Sequence, residues 1–228
     1  MGARFFGADV LRAEDRTLLK GSGQYVDDIR LEGTLHGAFL RSPHAHAIIK
    51  SIETTKAKEL DGVHAVYTYA EIEEPLNQPI KQPYPHPLIQ KDILSYPLAK
   101  EEVCHVGEAI AFIVADTRHI AEDAIPLIEI EFETLEAAVR VREAALPKAP
   151  TAHKDSKDNM AAELNIKFGD IEDAFSSADH VLETSFLQHR GGCHAMEGRA
   201  ILASYNSCLL YTSDAADEGL GVDLGGRR

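Results

Sequence analysis

The sequence predicts a mixed α/β fold, and three neighbouring segments support that prediction. The run EAIAFIVA at residues 108–115 is almost continuously apolar, which is typical of a strand buried on both faces. Thr117 then offers a side-chain oxygen to cap a helix through about Ala124, and Pro126 ends that helix. The segment LIEIEFE at residues 127–133 alternates apolar and acidic residues, the pattern of a strand with one solvated face. The order strand–helix–strand indicates α/β layer packing.

Further elements are predicted before this unit. Alternation over residues 35–40 and renewed apolar residues at 47–52 predict two strands, and GVHAVYTY predicts a third at 63–69. Residues 54–60 have the pattern of a short helix. Six of the ten prolines lie in residues 75–97, which predicts a long surface excursion because proline interrupts both helices and central strands.

The second half of the chain is predicted to follow a linker. Residues 146–166 are rich in Pro, Lys, Asp and Ser and have little to bury. Residues 169–178 predict a short helix, while HVLETSFLQHR at 180–190 and GRAILASYN at 198–206 have strand-like patterns.

Charge and cysteine content narrow the possible partners. A formal charge of −14 at pH 7 disfavours nucleic acid and anionic membranes, because a polyanion would be repelled. No apolar run reaches the roughly 18–20 residues that span a bilayer. Three widely spaced cysteines predict neither a disulfide framework nor an iron–sulfur or zinc cluster held by this chain alone. Since the first residues also lack the apolar core of a secretory signal, we expect a cytoplasmic protein.

The last residues, 208–228, are expected not to be natural protein. Residues 208–218 read CLLYTSDAADE, which resembles the translation of a transposase end and adapter used in short-read library preparation. The following GLGVDLGGRR has no apolar period. We therefore expect the natural sequence to be cut within a domain at about residue 207, and the tail to have no ordered structure.

Several phrases resemble the large subunits of the molybdenum hydroxylases, the family of xanthine dehydrogenase, aldehyde oxidase and aerobic carbon monoxide dehydrogenase. The most specific phrase is GTLHGAFLRSPHAHAIIKSI at residues 33–52. The other phrases lie at residues 10–29, 96–117, 121–135, 168–186 and 189–205. Each phrase alone is a weak signal, but they follow the order of the family and cover nearly all of residues 10–205.

The resemblance implies an a/b hammerhead domain at residues 1–145 and the truncated start of a molybdopterin-binding domain at 146–207. In that family a molybdenum–molybdopterin cofactor hydroxylates a carbon centre, such as an aldehyde, purine, N-heterocycle or CO. Electrons leave through [2Fe–2S] clusters and FAD, which the resemblance places on a small and a medium partner subunit. The fragment alone is expected to be inactive, because the catalytic residues would lie beyond residue 207. The alternative is a non-catalytic α/β binding or assembly module without molybdenum.

Gly191, Gly192 and Glu197 are the candidates for contact with the cofactor. Adjacent glycines on a strand allow close approach of a ligand, and the resemblance places this region near the cofactor. For Glu197 we favour a structural interpretation, a buried ion pair with Arg199 on the same strand face that fixes this strand. No residue of this chain is assigned a catalytic role.

His44 and His46 form the other conspicuous pair. On a strand their spacing would point both imidazoles to one face, a geometry that two metal ligands could use. No carboxylate or cysteine at matching spacing completes a ligand set nearby in the sequence. We therefore expect structural hydrogen bonding and assign no metal site. Cys193 is interpreted as a buried small apolar residue rather than a reactive thiol.

Overall fold

The computed structural model describes residues 12–80, 95–188, 191, 197–206 and 211–213. The chain forms two compact units, one of residues Thr34–Asp179 and one that combines Met1–Gly33 with His180–Arg228. In the ranges given above, no helix is long and apolar enough to cross a membrane.

The elements follow one another as short strands and helices. The helices are α1 Asp15–Leu19, α2 Thr55–Lys58, α3 Arg118–Ala124, α4 Val141–Ala144 and α5 Ile171–Ser177. The strands are β1 His36–Arg41, β2 Ala47–Glu53, β3 Val63–Thr68, β4 Glu102–Val103, β5 Ala109–Ala115, β6 Glu129–Thr134, β7 Ser204–Asn206 and β8 Tyr211–Ser213. The mixed α/β prediction is confirmed.

Two three-stranded antiparallel sheets organise the unit Thr34–Asp179. One has the order β1-β5-β3 and the other β4-β2-β6. The five strands predicted from apolar patterning before and after the proline-rich segment therefore exist, at β1, β2, β3, β5 and β6. Within that segment, residues 81–94 lie outside the described residues.

Strand β5 contributes to two apolar clusters. Ile113 is fully buried in a cluster that α3 covers, together with Val66 of β3. Ile110 is fully buried in a second cluster with Ala47 and Val103.

The expectation that β5 is buried on both faces along its length is wrong in one respect. Phe112 packs against Phe39 of β1 with ring centroids 4.6 Å apart, on a face where Phe39 and Tyr67 remain 43% and 41% exposed. The physical reason is that the sheet is antiparallel, and such a sheet can carry a helix on one face only.

The predicted helix after β5 begins as expected. Thr117 adopts an extended backbone and its side-chain oxygen accepts a hydrogen bond from the backbone N–H of Ile120, at 3.2 Å. Ala121 and Ala124 of α3 are fully buried. In β6, Ile130 points inward between exposed glutamates, so the predicted solvated face is confirmed.

The strand predicted at 180–190 is absent from its described part, residues 180–188. Its apolar side chains are exposed, as Leu182 (96%), Phe186 (88%) and Leu187 (97%) show. In that part of the chain no neighbouring strand offers hydrogen bonds, and a strand without a partner is not stable in water.

Only the end of the second strand-like segment, β7, pairs with another strand, namely β8. Strand β8 lies inside the tail of residues 208–228, and its three residues pair with those of β7. The remainder of residues 207–228 lies outside the described residues.

Glu71 closes a small hydrogen-bonded network at the end of β3. Its carboxylate accepts hydrogen bonds from Lys58 Nζ at 2.7 Å and from the backbone N–H of Thr68 at 2.8 Å. Burial alone would raise the pKa of Glu71, but the bonds from Lys58 and Thr68 outweigh it and hold that pKa below its ordinary value of 4.5.

The capping bond of α3 predicts a measurable difference between two threonines. Thr117→Ala should lower the free energy of unfolding by about 1 kcal/mol, because it leaves the N–H of Ile120 without its cap. Thr54 precedes α2 without a side-chain capping bond, so Thr54→Ala is the matched control and should change stability by less. Urea unfolding followed by circular dichroism measures both, and equal losses would contradict the assigned role of Thr117.

The network at Glu71 predicts a pH-dependent loss of stability. Because its pKa is lower in the folded protein, the carboxylate stabilises the fold above pH 4.5, and the effect disappears as pH falls through the folded pKa. Glu71→Gln should therefore lower the Tm at pH 7, and the difference from wild type should shrink on acidification below pH 4.5. The exposed Glu73→Gln is the control. A difference that is independent of pH would count against this network.

Candidate functional site

The predicted cofactor region is only partly within the described residues. Gly191 is exposed, and Gly192 lies outside the described residues. Glu197 Oε1 accepts a hydrogen bond from the backbone N–H of Val26 at 2.7 Å, within the unit that combines both chain ends. The expected ion pair with Arg199 is wrong: Arg199 is exposed, and the two residues do not share a strand.

Residues 192–196 lie outside the described residues, so the contacts of this region are those of Gly191 and residues 197–206. Among the residues that the structure describes, every buried side-chain nitrogen or oxygen has a hydrogen-bond partner. A Cβ atom added to Gly198 would meet open space, so this glycine does not mark a close approach. Glu197 is already engaged by Val26. The described part of this region therefore shows a positioning contact of Glu197 with the backbone of Val26.

A cluster of polar side chains lies instead beside β2 and β4. His46 precedes β2 and is 5% exposed. Its Nε2 lies 3.2 Å from Glu102 Oε2, and its Nδ1 lies 3.2 Å from the backbone oxygen of Glu136. The pairing of β2 with β4 places Ile48 opposite Glu102, and this register brings the carboxylate next to the imidazole.

Cys104 completes this cluster. Sγ of Cys104 lies 3.2 Å from His153 Nδ1, and its backbone N–H donates to Glu108 Oε2 at 2.5 Å. Burial raises the pKa of the Cys104 thiol to about 12, with further contributions from the negative charges of Glu102 and Glu108. The thiol is therefore protonated at neutral pH and is not a nucleophile.

His44 does not belong to this cluster. Residues 42–46 are not part of a strand, so the shared face that the spacing would give does not form. The His44 ring packs edge-on against Phe132, with centroids 4.8 Å apart. His46 alone faces Glu102, so the two histidines have separate environments.

The sequence analysis missed the partners of His46. Glu102 is 56 residues away in the chain, and only the pairing of two strands brings it close. One local signal was available: Glu102 and Cys104 are two residues apart around a strand, a spacing that points both side chains to one face.

The predicted linker is anchored at this cluster. The backbone N–H of Lys154 donates to Glu102 Oε2 at 3.0 Å, and Lys154 Nζ pairs with Glu101. Asn159 holds the loop itself through hydrogen bonds to the backbone oxygens of Ala144 and Pro150. Residues 146–166 are thus attached to the unit Thr34–Asp179 and do not form a detached linker.

Two family models match the chain in sequence order. The a/b hammerhead domain of aldehyde oxidase and xanthine dehydrogenase matches residues 20–136. The molybdopterin cofactor-binding domain matches residues 152–215, a range that includes the first residues of the tail we expected to be non-native.

Curated relatives are large subunits of oxidoreductases. The nicotine 6-hydroxylase large subunit of Paenarthrobacter nicotinovorans is 39% identical over 199 residues, which are 87% of this chain and 24% of that protein. The carbon monoxide dehydrogenase large chain of Afipia carboxidovorans is 40% identical over 192 residues, covering 78% of this chain and 23% of the relative. The chain thus spans about a quarter of the length of these relatives.

Solved structures agree with the sequence relatives. Quinoline 2-oxidoreductase from Pseudomonas putida 86 superposes with a TM-score of 0.76 at 33% identity, over 89% of this chain and 25% of that chain. The aldehyde oxidoreductase from Desulfovibrio gigas gives a TM-score of 0.65 at 29% identity, over 74% of this chain and 19% of that chain. Because the hammerhead model covers just over half of its residues, this chain belongs to the aldehyde oxidase and xanthine dehydrogenase family.

Proposed function

We propose that this chain forms part of the large subunit of a molybdenum hydroxylase. The reaction of the whole enzyme is the oxidative hydroxylation of a carbon centre, such as an aldehyde, a purine, an N-heterocycle or CO. The observation that carries the proposal is the ordered match of a hammerhead domain and a molybdopterin-binding domain in one chain. A non-catalytic assembly module would not need the second of these domains.

In this proposal the molybdenum–molybdopterin cofactor supplies the redox chemistry, and this chain supplies scaffold. The domains are those expected from the sequence, a hammerhead at residues 1–145 and the start of the cofactor domain at 146–207. The packed core of β5 and α3 supports a scaffold role for the first domain. The exposure of Leu182, Phe186 and Leu187 supports the view that the second domain needs further chain to cover it.

The proposed partners are a medium subunit that carries FAD and a small subunit that carries [2Fe–2S] clusters. Support comes from the names of the relatives, which describe a large subunit, a large chain and a subunit gamma of a dehydrogenase complex. Three cysteines are too few and too scattered to hold two such clusters in this chain. The low cysteine content also supports the proposed cytoplasmic location.

Gly191, Gly192 and Glu197 remain the residues proposed to lie near the cofactor in the whole subunit. Glu197 would act there through the backbone of Val26, which its carboxylate already holds. A supporting role of this kind orients a loop rather than touching the reacting atoms, and no catalytic residue is proposed in this chain.

A chimeric enzyme tests the proposal. Residues 20–136 of this chain replace the corresponding hammerhead segment of quinoline 2-oxidoreductase, and the molybdenum content and the rate of quinoline hydroxylation are measured. We expect the chimera to assemble with a molybdenum content like that of the parent, because the grafted segment is proposed to be scaffold. Its kcat should lie within about tenfold of the parent value, which corresponds to a change of about 1.4 kcal/mol in the activation barrier.

The control for the chimera is the same graft with Ile113→Asp, which places a charge in the fully buried centre of the domain. This control should fail to assemble. A graft of the natural segment that folds and assembles but holds no molybdenum would contradict the proposal.

The chain alone should not retain the cofactor. Produced in a host that makes the cofactor, the purified 228-residue chain should contain substoichiometric molybdenum, because in this proposal it holds only the start of the cofactor domain. Metal analysis by mass spectrometry measures this. A content near one molybdenum per chain would show that the proposed extent of the cofactor domain is wrong.

A further inference from the structure

We propose that His46, Glu102 and Cys104 form a binding site for a divalent transition metal ion of the zinc type. The site is separate from the proposed cofactor chemistry and does not depend on it. His46 Nε2, a Glu102 carboxylate oxygen and Cys104 Sγ all lie within 4.8 Å of one another. A tetrahedral metal with bonds of about 2.0–2.3 Å holds its ligand atoms about 3.3–3.8 Å apart, so the most widely spaced pair would move closer by up to about 1 Å on binding.

The contacts of the His46 ring leave Nε2 as the atom that can bind a metal. Nδ1 faces the backbone oxygen of Glu136, which only accepts, so Nδ1 carries the proton. Nε2 lies 3.2 Å from Glu102 Oε2 and is the ring nitrogen left for a metal. In the proposed site a metal ion between these two atoms takes the place of the proton that their hydrogen bond would need. Metal-binding histidines commonly donate the other ring N–H to a carbonyl in this way.

The donor set selects the class of metal. One imidazole nitrogen, one carboxylate oxygen and one sulfur suit zinc and its neighbours, whereas calcium and magnesium prefer oxygen ligands alone. The Cys104 thiol lies within ligand distance of the Glu102 carboxylate and carries a proton in the absence of metal. A divalent ion would replace that proton and neutralise the charges of the thiolate and of Glu102.

The backbone around the site is held firmly. Ala47 and Val103, which follow His46 and Glu102 in the chain, are paired across β2 and β4 and are fully buried. His153 Nδ1 lies 3.2 Å from Cys104 Sγ and supports the sulfur ligand from outside the three-ligand set. Three protein ligands leave the fourth position for water, as in zinc sites that are open to a small ligand.

Cobalt titration of the full 228-residue chain tests the site. Metal-free, reduced protein is titrated with Co²⁺ while absorption is followed, because a Co²⁺–thiolate bond gives a charge-transfer band in the near ultraviolet. We expect one equivalent to bind with this band and to be displaced by Zn²⁺. Cys104→Ser should abolish the band, and Glu102→Gln should weaken Co²⁺ binding by at least about tenfold.

Matched controls separate this site from the other thiols. The double variant Cys193→Ser, Cys208→Ser should keep the band, and His44→Ala should keep the affinity, since its ring contacts Phe132. Far-ultraviolet circular dichroism checks that each variant is folded. Failure of the wild-type chain to give the band, or a band that survives Cys104→Ser, would overturn the proposal independently of the molybdenum experiments.

Discussion

Alternating side chains along β5 enter two apolar clusters, and the unit Thr34–Asp179 depends on this packing. Ile113 fills the cluster beneath α3, and Ile110 fills the cluster formed with β2 and β4. Hydrogen bonds to β1 on one edge and β3 on the other hold the strand in place. Burying each isoleucine contributes about 1.5–3 kcal/mol, so this one strand supplies a large share of the stability of a small domain.

The polar cluster at His46 is a consequence of the second apolar cluster. Ala47 and Val103 are packed around Ile110, and their chain neighbours His46 and Glu102 are carried into contact by that packing. The imidazole is thereby held between a carboxylate and the backbone oxygen of Glu136 with little freedom to move. Ligand atoms that are positioned in this way by a rigid core are suited to binding a metal without a large loss of entropy.

The two halves of the chain differ in how much of their apolar side-chain surface is buried. The strands of the hammerhead bury their inward faces against each other and against α3. Leu182 and Phe186, in contrast, face water with no partner among the described residues. The contrast matches the proposed division of roles, in which the hammerhead is a self-contained scaffold and the cofactor domain becomes stable only within a whole subunit.

Much of the hammerhead was predictable from local pattern. The apolar run of β5, the cap at Thr117 and the alternation in β6 depend on residues close in sequence, and all three are present. The strand expected at 180–190 was not predictable in the same way, because a strand exists only where another strand pairs with it.

The contacts within the polar cluster were likewise not predictable from the sequence. The sequence shows which side chains are present, but it does not show that His46 contacts Glu102, 56 residues away. Nor does it show that Cys104 contacts His153, 49 residues away. The sequence by itself determined the element types, the solvated faces and the family. Only the tertiary structure decided which polar groups meet, because strand register and core packing set those distances, and neither is a local property of the chain.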